Sequence, residues 1–301
     1  MIKPTNLEKG DAIAIVAPAG YLKSDKSLKS GIALAEMWGL RVQLGAHIFN
    51  KEGHFAGSDA ERLADLQAAL DNPSVKAIWC ARGGYGTNRI IDSLDFTEFK
   101  KHPKWVIGYS DITTLLNHIN NLGIESLHAM MVTSQEALAN DLAAVSLQKA
   151  LFGKPLRYEI PSNKNNVVGQ AKGVLVGGNL SLLVASLGTP SAPKPKNAIL
   201  FIEDIGEYKY RIDRMLYTLK RNGFFDKCRG VFIGGMTDIP VNDPDFGKTT
   251  TQLILDVIGR TDMPICFDFP AGHIAENCAL ILGRKVLLKI DNNTDSFITF
   301  K

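Results

Sequence analysis

Apolar positions along the chain fall into short runs separated by amphipathic stretches. Residues 11–18 (DAIAIVAP) are an apolar run of strand length, and 27–38 carry apolar residues at helical spacing up to Gly39. Residues 41–44 predict a second strand. A second helix follows over 58–70, with Ser58 as its cap and Pro73 just beyond its end. A strand at 75–81 leads to a helix after Thr87, and the run WVIG (105–108) stops at a turn and restarts at once as a helix. Strands alternating with helices of this length pair in parallel, so an α/β fold with a doubly wound, Rossmann-like sheet is expected for the first half.

The alternation lapses at FGKPLRYEIPSNKNNV (152–167), which is polar and punctuated by proline, as in an interdomain connection. Beyond it, 173–176 predicts a strand and GGNLSLLVASLGTP a glycine turn leading into a helix. Strands follow at 198–202, 230–233 and 265–269, a helix at 210–222 stopped by Gly223, and one strand over 279–289. The expected organisation is an N-terminal domain at 1–152, a linker at 153–166, and a smaller α/β domain with a mixed sheet at 167–301. The active site is expected between the two, beyond the C-terminal ends of the strands.

Composition narrows the function classes. The 301 residues are 45% hydrophobic and 22% charged, with 34 basic against 31 acidic side chains and a net charge of +3. That balance, with no Lys/Arg block, argues against a nucleic-acid partner. No run approaches the roughly 18 apolar residues of a membrane span. The N-terminal layout is not that of a signal peptide, so a cytoplasmic protein is expected. Cys80, Cys228, Cys266 and Cys278 are scattered without CxxC spacing, as buried thiols in a reducing compartment would be.

Four stretches could carry chemistry. In GYSD (108–111) a strand-to-helix turn can present the Ser110 hydroxyl to a cleft, although Ser110 or Asp111 could equally be a helix cap. CARGGYGTNRI (80–90) is a strand, a glycine turn and a helix. It fails the dinucleotide fingerprint, because Arg89 stands where a third glycine belongs, and it lacks the Walker lysine. Its exposed N–H groups would also suit an oxyanion hole, and a plain tight turn would look the same. FIEDIGEYKYRIDRML (201–216) puts Glu203 and Asp204 at a strand end and Glu207 ahead of the next helix, where acids also serve the helix dipole. FPAGHIAENC (269–278) places His273 in a glycine-hinged loop. His273 and Glu276 have the His-x-x-Glu spacing of zinc carboxypeptidases, but the second half holds no other histidine to complete a zinc site. Ser110, Glu203 and His273 all lie just past predicted parallel strands, which makes a hydrolase plausible.

Read together, AIVAPAG (14–20), ARGGYG (81–86), GYSDIT (108–113), GGNLS (177–181), FIED (201–204) and GH (272–273) resemble, in the same order, the motifs of the LD-carboxypeptidases. These serine peptidases include muramoyltetrapeptide carboxypeptidases and microcin C self-immunity proteins. One departure is His128-Ala-Met-Met where members often carry His-Gly-Pro-Met. The resemblance implies a Ser110 nucleophile, a Glu203 acid and a His273 base, with an oxyanion hole from the N–H groups of Gly84 and Asp111. It also implies a homodimer, no cofactor or metal, and release of terminal D-alanine from a muropeptide tetrapeptide during peptidoglycan recycling. Arg82 and Asn179 are candidates for substrate binding, Arg82 as a clamp on the terminal carboxylate. A peptidyl-nucleotide toxin as substrate, or a non-catalytic ligand-binding role on the same plan, are the alternatives.

Overall fold

The apolar runs become strands of two sheets. The computed structural model describes residues 1–134, 141–160, 162–259, 262–291 and 296–301. β1 (Ala12–Val16), β2 (Arg41–Leu44), β3 (Val75–Cys80), β4 (Trp105–Gly108) and β5 (Ser126–His128) form the first sheet with a later strand. β6 (Arg157–Glu159), β7 (Gly169–Asn179), β8 (Ala198–Ile205), β9 (Gly230–Thr237) and β10 (Ile265–Cys266) belong to the second. The chain closes with β11 (Leu280–Leu282), β12 (Lys285–Ile290) and β13 (Phe297–Phe300).

The first sheet has the order β11-β5-β4-β3-β1-β2 and is parallel except for β11, which runs antiparallel to β5. The second has the order β10-β9-β8-β7-β12-β13-β6, parallel from β10 to β7 and antiparallel beyond. This is the expected α/β architecture, a doubly wound sheet followed by a mixed one. Ser58 caps the helix Asp59–Asp71 through a full capping box with Glu61.

Three expectations change. The stretch expected to be a bare linker carries β6, because Tyr158 buries its ring and donates its hydroxyl to the Ala279 carbonyl at 2.7 Å. The glycines after 176 do not form a turn; β7 continues through them to Asn179, paired with β8 along the way. The apolar run at 279–289 is two strands rather than one. Gly283, at φ +89°, turns the chain, so β11 completes the first sheet and β12 joins the second. The helices Thr97–Lys101, Asp141–Leu151 and Thr250–Ile258 and the strands β5 and β13 carry no expectation from the sequence pattern.

Alternation along β8 decides which groups meet between the sheets. Ile199 and Phe201 pack into the core shared with the first sheet, whereas Leu200 and Ile202 pack with the helices Lys209–Arg221 and Thr250–Ile258. Glu203 continues the parity of Ile199 and Phe201 and is fully buried on the inner face. No helix among the described residues is long and apolar enough to cross a membrane.

Candidate active site

β4 is buried throughout, and the chain leaves it at Tyr109 to enter a helical turn, Ser110–Ile112, that runs into the helix Thr113–Asn121. Ser110 sits at φ +59°, a left-handed conformation rare for a side chain other than glycine. Such a residue costs about 1–3 kcal/mol and persists only when its surroundings impose it. Here the helix behind the turn is docked: Thr113 Oγ1 accepts from the Asn179 N–H at 3.2 Å, and Asn117 Nδ2 donates to the Gly177 carbonyl at 3.0 Å. The serine turn is thereby held against the end of β7.

The glycine loop passes directly over this turn. A Cβ added at Gly83 would lie 3.0 Å from Ser110 Cβ and 3.2 Å from its Oγ, so only glycine lets the loop come so close. Gly84 follows, exposed, at φ +106°. Asp111 ties the two segments together, but not by capping its own helix, where no side-chain cap forms. Its buried carboxylate accepts from the N–H groups of Thr87, at 2.9 Å, and Gly86 at the end of the glycine loop. Burial raises the Asp111 pKa and these hydrogen bonds oppose the rise.

His273 and Glu203 meet on the opposite wall. His273 Nδ1 lies 2.7 Å from Glu203 Oε2, and the His273 backbone N–H donates to the same oxygen at 3.3 Å. Gly272, at φ +108°, makes the approach possible, since a Cβ there would stand 2.8 Å from Glu203 Cβ and Oε2. The loop is pinned by Asn277 Oδ1, which accepts from the Gly272 N–H at 2.9 Å. It also enters beside a bulge in β9, where Gly235 donates to the Ala271 carbonyl at 2.9 Å. With Nδ1–H given to the carboxylate, Nε2 is the nitrogen left for chemistry. Burial pushes the His273 pKa down, but the hydrogen bond and charge of Glu203, with Asp204 and Asp238, more than offset it, and the net shift is upward. The Tyr109 ring, one residue before Ser110, lies 4.8 Å from the His273 ring, so the serine turn and the histidine loop are in contact.

The remaining candidates separate. Arg82 is half-buried, donates from Nη1 to the Tyr21 carbonyl at 2.7 Å, and lines a cavity of about 330 Å³ with Lys23, Ser27 and Thr133. Asn179 has its side chain engaged within the protein. Its amide oxygen caps the helix Leu180–Ala185 and its nitrogen donates to Asp204 at 2.8 Å, so both ends are engaged in a buried position. Asp204 accepts also from Ser181 and from its neighbour Ile205, which makes it a brace between the ends of β7 and β8. Glu276 is exposed on its loop, and among the described residues no three His, Cys, Asp or Glu side chains group where a metal could be held. All four cysteines are buried and none forms a disulfide, and burial pushes the Cys278 thiol up to about 12. Tyr109, Thr113 and Asn117 could not be singled out from the sequence, because their roles depend on which distant segment they touch.

Comparison with known proteins agrees with this architecture. The chain matches the LD-carboxypeptidase N-terminal domain over residues 13–129 and the LD-carboxypeptidase C-terminal domain over 172–288. It is 36% identical over 297 residues to the probable murein peptide carboxypeptidase of Bacillus subtilis strain 168, covering 97% of this chain and 93% of that protein. The muramoyltetrapeptide carboxypeptidase of Oxalobacter formigenes superposes with a TM-score of 0.87 at 28% identity, over 96% of this chain and 98% of the other. The microcin C7 self-immunity protein MccF, solved with glutamyl sulfamoyl guanosine, shares the fold at a TM-score of 0.88 over 99% and 98% of the two chains, with 22% identity. The chain therefore belongs to the LD-carboxypeptidase family of serine carboxypeptidases.

Proposed function

We propose that this enzyme hydrolyses the L,D-peptide bond before the terminal D-alanine of a murein tetrapeptide, with Ser110 as nucleophile and His273 as base. The observation that carries the reading is the 2.7 Å hydrogen bond from His273 to the buried Glu203, on a loop whose imidazole contacts the serine turn. His273 Nε2 takes the Ser110 proton as Oγ attacks the scissile carbonyl, and Glu203 holds the tautomer and stabilises the cation that forms. The N–H groups of Gly84 and Asp111 receive the developing oxyanion. Asp111 serves this geometry twice, since its carboxylate fastens the end of the glycine loop to the serine turn. His273 then returns its proton to the leaving amine, and water repeats the cycle on the acyl-enzyme.

A carboxypeptidase must also recognise a free carboxylate. Arg82 has the chemistry for it, a guanidinium held at one nitrogen by the Tyr21 carbonyl, with Lys23 in the same cavity. The muramoyltetrapeptide carboxypeptidase among the solved relatives supports a tetrapeptide as the substrate.

The test is mass spectrometry of purified protein incubated with a disaccharide- or UDP-linked tetrapeptide, beside Ser110→Ala and a chelator-treated sample. Loss of one alanine with wild type and with the chelated sample, but not with Ser110→Ala, is the expected pattern. Alanine release that survives in Ser110→Ala, or that chelation abolishes, refutes the serine mechanism.

A further inference from the structure

We infer that the second sheet carries an anion-binding site at the end opposite the candidate active site, suited to a small phosphorylated molecule. The site is a cavity of about 410 Å³ where β8 begins, and Lys172, Arg229, Lys285, Lys301 and Asn197 stand around it. That volume falls in the range of small-molecule pockets, and Val174 and Val286 add the apolar lining such pockets have. The strand register fixes how far the cavity lies from Glu203. Val174 pairs with Ala198, and Asn179 pairs with Glu203 five residues further along both strands. At about 3.3 Å per residue that is roughly 16 Å, so the cavity is separate from the cleft that holds Ser110 and His273.

Register also brings the cations together. Lys285 on β12 faces Val174 on β7, and Lys172, two residues back on β7, lies on the same face and diagonal to it. The Lys301 N–H donates to the Lys285 carbonyl at 3.0 Å, which sets the two lysines side by side. Arg229 enters from the other side. Its N–H donates to the carbonyl of Ala198 at 2.8 Å, and Ala198 is the residue that pairs with Val174. Like charges on neighbouring strands destabilise a sheet, and a carboxylate between them is the usual relief. None lines this cavity. Among the described residues, none of the four cations takes part in an ion pair.

The guanidinium in this cluster is held in place. Arg229 Nε donates to Asn197 Oδ1 at 3.0 Å, and Asn197 is itself fixed at φ +58° with its N–H on the Lys227 carbonyl at 2.8 Å. Asparagine adopts this left-handed conformation more readily than most residues. Both Nη groups of Arg229 then remain for a ligand, and a planar fork of N–H donors matches the oxygens of a phosphate. The three lysines surround that fork with point charges. A phosphate group carries up to two negative charges near neutral pH, so a phosphate or diphosphate matches four cations better than a single carboxylate does.

The experiment is isothermal titration calorimetry with inorganic pyrophosphate, at low and at physiological salt, with citrate as the carboxylate probe. The wild type should bind one pyrophosphate per chain, and more weakly at the higher salt. Arg229→Ala and Lys285→Ala should each weaken binding about 10- to 100-fold, the effect of losing one charge-assisted hydrogen bond, and Arg229→Lys should weaken it less. Two controls remove a cation elsewhere: Lys100→Ala on the helix Thr97–Lys101, and Arg82→Ala beside the glycine loop. Neither should match the loss seen in Arg229→Ala. Absence of binding to the wild type overturns the inference, as does an equal loss in Lys100→Ala, which would reduce the effect to net charge. A loss in Arg82→Ala without one in Arg229→Ala overturns it by placing the ion in the cleft, and citrate binding as tightly as pyrophosphate overturns the phosphate class. Circular dichroism checks the fold of each variant; should Arg229→Ala not fold, Arg229→Lys and Lys285→Ala decide. None of these readouts requires turnover, so the result stands apart from the proposed reaction.

Discussion

Replacing Glu203 with glutamine isolates what its charge contributes. Glu203 Oε2 accepts two donors, His273 Nδ1–H at 2.7 Å and the His273 backbone N–H at 3.3 Å. A glutamine that turned its NH₂ toward this position would face the fixed backbone N–H donor-to-donor, so the amide oxygen should take the place of Oε2. The imidazole then keeps its tautomer, and only the charge is lost. Two unit charges about 4 Å apart interact by about 4 kcal/mol at an effective dielectric of 20. His273 is slightly open to solvent (14% side-chain exposure), and charge spreads over both groups, so 2–4 kcal/mol is a fair range. That converts to a loss of about 30- to 10³-fold in kcat. Where an amide substitution reverses the tautomer, the loss is nearer 10⁴-fold. The assay is steady-state alanine release at pH 8, with the thermal midpoint measured on the same samples. A loss of 10⁴ or more in a folded variant would refute the argument from the backbone N–H. A loss under about threefold would remove Glu203 from the catalytic path.

Other predictions test separate parts of the site. Because the His273 pKa lies above its ordinary 6.5, kcat/KM should rise with pH through a limb whose midpoint exceeds 6.5, and a midpoint below 6.5 would contradict the Glu203 contact. The sign for stability is opposite: the ion pair's contribution is full below pH 6.5 and is lost as pH rises through the higher folded value, which pH-dependent melting can follow. Arg82→Ala should raise KM about 10- to 100-fold with kcat changed little, and Arg82→Lys should recover part of it. A kcat-only effect would exclude carboxylate recognition there. Asp111→Ala leaves the Thr87 and Gly86 N–H groups without their acceptor and should cost about 2–4 kcal/mol of stability and more kcat than KM. Asp111→Asn, with one oxygen retained, should lie between it and wild type by denaturant unfolding and kinetics.

Much of the frame was legible because local signals carried it. The Ser58 capping box, the helix stop at Gly223 and the parallel alternation up to β4 depend on residues near one another in sequence. The site candidates were legible for a related reason, since Ser110, Glu203 and His273 each follow an apolar run, and β-strand ends are where such folds expose side chains. What could not be read depends on long-range partners. Residues 279–289 are apolar throughout, and only the φ +89° turn at Gly283 and the open edges of two different sheets divide them. Asn179 looked available, but the buried carboxylate of Asp204 and the N-terminus of Leu180–Ala185 claim both ends of its amide. His128 opens a stretch that departs from the family's pattern, but its place beside Phe201 depends on two sheets coming together and could not be read.

The split of that last apolar run has a consequence for how the enzyme comes into being. β11 lies at an edge of the first sheet, paired with the strand that carries His128, yet it is made more than 150 residues after that strand. A ribosome must therefore synthesise the connection, most of the second sheet and the histidine loop before the edge at β5 can be covered. Until then Ser126–His128 presents an unpaired edge, the kind of surface that invites association with other chains. The same order means that the serine turn exists early while His273, the proposed base, arrives late, and the strand that closes the first sheet follows it by only seven residues. Closure of the sheet and formation of the Glu203–His273 pair thus both wait for the end of the chain, so on the proposed mechanism a nascent or truncated chain would hold a serine without the means to activate it.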